Sequence, residues 1–259
     1  MKSHITIYAG VDKHGKKEPY DQITLKLGEV VSIVGHTGSG KTMLISDIEQ
    51  LSQRDSVSGR MITIDDEIPG YEERFAPENK KIAMITQNTK CVSDLIVWDF
   101  LKIHAQAREV QVEGLTQKVI ELANRFTGEA ISGDAKVTEL SGGQTRALLF
   151  ADAILIGTSP IILVDEIENA GINKTEILKY VKSKKKLVIF ATHDPGIVLQ
   201  TEKRIFMRNG AIEKIVTHSQ ADKDMLLLVT KADRIIRMVQ EQLREGMEMD
   251  ISQVNGGLE

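Results

Sequence analysis

Residues Gly35-His36-Thr37-Gly38-Ser39-Gly40-Lys41-Thr42 follow the pattern G-x-x-x-x-G-K-[ST], between an apolar run at Val30–Val34 and a helical pattern that begins at Lys41. Glycines let the backbone fold into a nest whose N–H groups point inward. The positive end of the following helix dipole adds to that nest, so the segment is suited to holding phosphate oxygens. Lys41 is placed to reach β- and γ-phosphates. The Thr42 hydroxyl suits magnesium, which takes a few oxygen ligands and keeps most of its water. His36 and Thr37 shape the loop. A glycine-rich turn that binds nothing shares this composition but does not require the strand before it and the helix after it. The expected ligand is a nucleoside triphosphate, ATP with magnesium. A phosphate loop alone permits kinases, GTPases and many ATPases, so the class must come from other residues.

A second segment, Leu140-Ser141-Gly142-Gly143-Gln144, opens a helical run from Thr145 to Ile156. It again places glycines and a hydroxyl at a helix N-terminus, where an anion is stabilised. One nucleotide carries one γ-phosphate. Two such nests in one chain imply either two anion sites or one composite site made by pairing two chains.

With these motifs the sequence resembles the ATP-binding cassette (ABC) family, whose signature is LSGGQ, from about Ile5 to Ile215. The family's other motifs occur in order: a Q-loop glutamine at Gln87, a Walker B strand Ile161–Val164 closing with Asp165-Glu166, and a switch histidine at His193. The resemblance implies an α/β fold: a P-loop NTPase core of mixed or parallel sheet flanked by helices, an antiparallel β subdomain and an inserted α-helical signature subdomain. It implies that Asp165 holds magnesium through water and that Glu166 polarises the attacking water as general base. His193 would contact the γ-phosphate and orient that water, and Gln87 would complete the magnesium and water shell. Ser141 and Gly143, flanking Gly142 and followed by Gln144, would cap the γ-phosphate held by another protomer's phosphate loop. Hydrolysis to ADP and phosphate then implies a head-to-tail homodimer or heterodimer with two ATPs at its interface. Adenine in the family stacks on an aromatic after the first strand. The aligned position here is His14, with Tyr20 or Tyr8 as substitutes.

Two features bear on the work the ATPase drives. The residues after Asp165-Glu166 read Ile167-Glu168-Asn169-Ala170-Gly171-Ile172, where many transporter cassettes have Pro-Thr-Ser-Ala-Leu-Asp. In this the chain resembles soluble members such as chromosome-maintenance ATPases. The stretch between Gln87 and Leu140, however, has transporter-like length. One expectation is therefore a nucleotide-binding subunit that drives a separate membrane protein, coupled beside Gln87 through Trp98 and Phe100. The alternative is a soluble ATPase that remodels or activates a cytosolic protein or metallocentre. A small-molecule kinase has no place for LSGGQ or the switch histidine.

The elements that must position these residues are legible from periodicity. Strand-like segments fall at Ile5–Val11, Gln22–Leu27, Val30–Val34, Arg60–Ile64 and Lys81–Thr86, with a helix from about Lys41 to Leu51. From Val97 to about Ala130 apolar residues recur at helical spacing, predicting a helical subdomain over about 88–139. The apolar runs Ile161–Val164 and Leu187–Ala191 predict strands buried on both faces of a parallel sheet. An ATPase domain over 1–215 is then followed by a helical extension over 216–259. Its stripe of Leu228, Ala232, Ile235, Val239 and Leu243, stopped at Gly246, is expected to pack on its own domain or to serve a dimer or partner surface.

Composition is that of an ordinary soluble globular protein. Of the 259 residues, 41% are hydrophobic and 27% charged, and the net charge of -4 gives no general pull toward nucleic acid. The stretch from Met1 to Gly10 lacks a continuous apolar segment, so export is not expected. No apolar run approaches the ~20 residues that span a bilayer, so a membrane role requires a partner. The single cysteine, Cys91, fits a reducing cytoplasmic location, peripheral to the membrane where a partner holds the chain there. The lysines at 182, 184, 185 and 186 read as a solvated loop.

Overall fold

The computed structural model describes residues 4–76, 80–86, 93–165 and 172–246. Its strands are β1 (His4–Tyr8), β2 (Gln22–Lys26), β3 (Val30–Val34), β4 (Met61–Ile64), β5 (Ile82–Thr86), β6 (Ile161–Asp165), β7 (Leu187–Ala191), β8 (Lys203–Arg208) and β9 (Ala211–Thr217). Its α-helices are α1 (Lys41–Glu49), α2 (Tyr71–Phe75), α3 (Val97–Ala107), α4 (Leu115–Phe126), α5 (Gly142–Leu155), α6 (Lys174–Lys182), α7 (Pro195–Val198) and α8 (Gln220–Arg244).

One sheet runs β5-β6-β7-β3-β8-β9, parallel throughout except for the antiparallel pair of β8 and β9. Every residue of β3 and β7 is buried, as is β6 up to Val164. Strands covered on both faces need such unbroken apolar runs, because either side would otherwise meet water. Alternation along these strands divides the core. Val31, Ile33, Leu163 and Ile189 point to one side, where they pack with Leu44, Ile45 and Ile48 of α1. The same cluster takes in Ile5, Ile7, Leu25 and Ile62 from a second, antiparallel sheet in the order β2-β1-β4. On the other side Val30, Val164, Val188 and Phe190 pack with Ala147, Leu148 and Ala151 of α5. Burial of each Val, Leu or Ile contributes about 1.5–3 kcal/mol, which makes these strands the rigid frame for the loops at their ends.

The helical stretch predicted from Val97 divides into α3 and α4 at a turn that includes Gly114, with φ 68°. Its apolar spacing is borne out at Val97, Leu101, Ala105, Val119, Leu122 and Phe126, all buried, whereas His104 in the same stripe is half-buried and hydrogen-bonds Asp152. Phe126 meets Phe150 of α5 edge to face at 6.0 Å, so the signature helix shares one core with α4.

Two expectations are corrected. The stripe on α8 does not pack wholly on its own domain: Leu228 and Leu243 are 62% and 61% exposed, Ala232 is exposed, and only Ile235 and Val239 are half-buried. The helix is seated instead through a neighbouring face, and Leu226 and Thr230 line a small cavity against Lys174, Asp194 and Gly196. Nor is the lysine run solvated throughout: Lys182 and Lys185 are exposed, but Lys186 is not. Lys186 is half-buried and donates to the carbonyls of Ala153, Gly157 and Ser159 at 3.2, 2.8 and 2.8 Å, closing the C-terminal end of α5. No described helix is long and apolar enough to cross a membrane.

Candidate functional site

The carboxyl ends of adjacent parallel strands form the site, as is general for open α/β sheets. The registers pair Thr86 with Asp165, Asp165 with Ala191, and Ala191 with Ile33. The carboxyl ends of β6, β7 and β3 therefore lie side by side. Thr192 is fully buried and its N–H donates to the Ile33 carbonyl at 3.1 Å, which ties the turn carrying His193 to the strand that feeds the phosphate loop.

Gly35, His36, Thr37 and Lys41 line a cavity of about 730 Å³ together with His193 and with Phe206, Met207, Arg208 and Glu213 of the β8–β9 hairpin. The loop geometry depends on glycine. A Cβ at Gly35 would lie 2.6 Å from the Met207 carbonyl, and one at Gly40 would lie 2.7 Å from Gly210 Cα. Gly40 is also left-handed, with φ 103°, and caps α1 without any side-chain bond. The first turn of α1 holds no acidic residue, so its N-terminal dipole is open to an external anion. Ser39 Oγ is buried and has no hydrogen-bond partner among the described residues, an unmet polar group at the loop. The Lys41 ammonium donates to the carbonyls of Gly35 and His36 at 3.0 and 3.4 Å, which holds it over the loop. Gly38 is left-handed at φ 77°, and Thr42 follows Lys41 in the first turn of α1, exposed.

The second nest lies apart from this cavity. Ser141 caps α5: its Oγ accepts from Gln144 N at 3.2 Å, while Gln144 Oε1 accepts from Ser141 N at 2.9 Å. This reciprocal box satisfies two terminal donors and fixes the start of the helix. Ser141 and Gly142 are exposed, Gly143 and Gln144 are half-buried, and none of the four lines the phosphate-loop cavity. Because capping uses the Ser141 oxygen as acceptor, its hydroxyl proton is left to donate outward.

Of the acidic and amide residues expected here, Asp165 is described, half-buried at the end of β6. Gln87 and Glu166 lie outside the described residues, as does Cys91. His14 is exposed, in a turn where its N–H donates to Asp12 Oδ1 at 2.8 Å, and neither it, Tyr8 nor Tyr20 lines the cavity. Tyr20 donates its hydroxyl to Glu18 Oε2 at 2.7 Å, and burial together with the Glu18 charge pushes its acidity far down. The aromatic that does line the cavity is Phe206. Phe206 belongs to no motif, although Asn209-Gly210 between two strand-like runs is a strong signal for the hairpin that carries it.

A profile described as ABC transporter matches residues 21–169. The chain is 46% identical over 242 residues to an uncharacterised ABC transporter ATP-binding protein of Methanocaldococcus jannaschii, covering 93% of each. Among solved structures, it superposes on cbiO1 from Clostridium perfringens, part of the ABC transporter complex cbiONQ. The TM-score is 0.65 at 19% identity, over 90% of this chain and 96% of that one. It superposes also on a dimeric ATP-binding cassette in a post-hydrolysis state with ADP and Pi, with TM-score 0.61 at 20% identity, over 83% and 99%. At such identities the two structures establish the α/β fold alone. Profile and close relative, on top of the cavity just described, establish that the chain belongs to the ABC transporter family, as one of its ATP-binding, ATP-hydrolysing members.

Proposed function

We propose that this chain is the nucleotide-binding subunit of a transporter, that it closes on a second such subunit around Mg-ATP, and that hydrolysis there drives a membrane partner. One observation carries the composite site: the cavity holding Lys41 and His193 contains none of Ser141–Gln144, while that signature segment offers an exposed, self-capped helix N-terminus. A second copy turned head to tail would bring Ser141 and Gly143 to the γ-phosphate held by Gly35–Thr42. Gly35, Gly38, Ser39 and Gly40 would cradle the phosphates through backbone N–H groups. Lys41 would neutralise their charge.

The donor set fits magnesium. Thr42 and Asp165 would supply hard oxygens, and the described residues hold no cluster of three or more His, Cys, Asp or Glu side chains of the kind a protein-only cage would use. Bound there, the ion would offset the developing negative charge on the phosphates. Glu166 would take the proton of the attacking water, Gln87 would orient that water, and His193 would fix it against the γ-phosphate. The base would rest near Phe206 or the 10–18 hairpin that carries His14. Residues 1–215 would form the ATPase unit, with 88–139 as the helical insert toward the membrane protein and 216–259 as an extension. The location is then cytoplasmic, on the membrane face where the partner sits. The family match and its transporter-named relative favour this reading over a soluble remodelling ATPase.

The test is the Glu166→Gln protein, purified with Mg-ATP from crosslinked cells. It should run as a dimer only with ATP and bring down an integral membrane protein. A protein that stays monomeric with ATP, or that retains only soluble partners, would refute the proposal.

A further inference from the structure

Arg60 is completely buried, and its guanidinium joins three elements around the phosphate loop. Its Nη2 donates to Glu18 Oε1 at 2.6 Å and to the Gly210 carbonyl at 2.7 Å, and its Nη1 donates to Asp47 Oδ2 at 2.9 Å. Glu18 belongs to the 10–18 hairpin, Asp47 to α1, and Gly210 to the β8–β9 turn. The side chains of Glu18 and Asp47 are 0% and 1% exposed.

Both carboxylates are further satisfied. Glu18 accepts from Ile212 N, Gly10 N and Tyr20 Oη at 2.6, 2.8 and 2.7 Å, and Asp47 from Ser58 Oγ at 2.7 Å. Burial by itself would raise the Glu18 carboxyl, but Arg60 and these N–H donors hold it below its ordinary range.

The Gly210 that Arg60 grips is also the residue against which the phosphate loop rests. Gly210 N donates to the Ser39 carbonyl at 2.9 Å, and the close approach of Gly210 to Gly40 leaves no room for a Cβ there. The strands leading from this turn carry Phe206, Arg208 and Glu213 into the cavity wall.

We infer that Arg60 is a positioning residue for nucleotide binding: by holding the β8–β9 turn against Ser39 and Gly40 it fixes the shape of the phosphate loop. It touches no phosphate itself. The inference rests on Gly35–Thr42 being the nucleotide site, and Lys41→Ala tests that part separately.

Arg60→Lys keeps the charge but offers one nitrogen where three directions must be served at once. In the full chain it should raise the KM for Mg-ATP by about tenfold and weaken inorganic tripolyphosphate in parallel, with kcat at saturation within about twofold of wild type. Should Arg60→Lys fail to fold, Glu18→Gln/Arg60→Met/Asp47→Leu removes all the buried charges together, which protects stability while leaving the Gly210 carbonyl without its donor. The same rise in KM is expected. Either variant folded with wild-type affinity for both ligands overturns the inference. Lys41→Ala with undiminished tripolyphosphate binding would instead overturn the assignment of the loop.

Discussion

Asp194, the residue after His193, forms an ion pair with Lys174, the first residue of α6, while its other carboxylate oxygen accepts from Ile197 N at 2.9 Å. The turn that aims His193 is thus fastened on one side to α7 and on the other to the helix that follows 166–171, the segment carrying Glu166. Thr192 Oγ1 accepts from Asp194 N at 3.0 Å and completes the brace.

Lys174→Ala removes the tie to α6 and leaves the α7 cap intact. It should lower kcat about tenfold with little change in KM, since misplacing a catalytic group by ~1 Å costs up to about 100-fold. Asp194→Ala loses both bonds and should cost an additional ~1 kcal/mol of stability through the lost cap. Steady-state ATPase kinetics with urea titrations on both variants separate the effects. Wild-type kcat in Lys174→Ala would show that the ion pair does not position His193.

Gly40→Ala tests the loop from the inside. The left-handed backbone disfavours any Cβ by roughly 1–2 kcal/mol, and the Cβ would stand 2.7 Å from Gly210 Cα, a backbone atom that cannot rotate away. The expected result is a loss of about 2 kcal/mol or more in stability and a markedly raised KM for Mg-ATP. A protein as stable and as avid as wild type would mean that the turn is free to retreat from the loop.

The residues whose chemistry is local were legible in the sequence. The strand, glycine loop and helix at 30–49 are contiguous, and β6 and β7 announce themselves by unbroken apolar runs. The same holds for Ser141, whose capping box with Gln144 spans a single helical turn. What could not be read was set by distant neighbours. Arg60 sits 42 positions from Glu18 and 150 from Gly210, so nothing local marks it as buried. His14 falls in the aligned place for an adenine contact, and the structure shows it exposed in a turn outside the phosphate-loop cavity, a position set by a hairpin that no local pattern marks. The α8 stripe had the right period for packing, but period says only that a face is apolar and leaves open what covers it.

Lys186 offers a test in stability alone. Its three carbonyl acceptors at the end of α5 would be left without this donor in Lys186→Met, at a cost of about 1–3 kcal/mol. Burial lowers the Lys186 ammonium from its ordinary 10.5 to about 8, so between those values the unfolded chain binds more protons than the folded one. Stability contributed by this group therefore rises with pH through that window and is least below it. Urea titrations from pH 7.5 to 10.5 should show this rise in wild type and its absence in Lys186→Met. Parallel pH profiles for the two proteins would contradict the shift.

The anchoring of α8 has the same sign of pH dependence, but in the acid range. Asp222 Oδ2 accepts from Arg204 Nη2 at 2.6 Å and from Ser219 N and Oγ at 2.7 and 2.8 Å, and the Arg204 bond above all brings its carboxyl from 3.8 down to about 2. A depressed carboxylate stabilises the folded state fully above its ordinary value and ceases to do so as pH falls through the lowered one, so the anchor should fail between about pH 4 and 2. Arg204→Gln should return the Asp222 titration toward 3.8 and, already at neutral pH, speed amide exchange in the first turns of α8, because β8 no longer holds them. Carboxyl NMR titration and hydrogen exchange report the two effects separately. An Asp222 that titrates near 3.8 in the wild-type protein would mean that the Arg204 ion pair does not anchor α8.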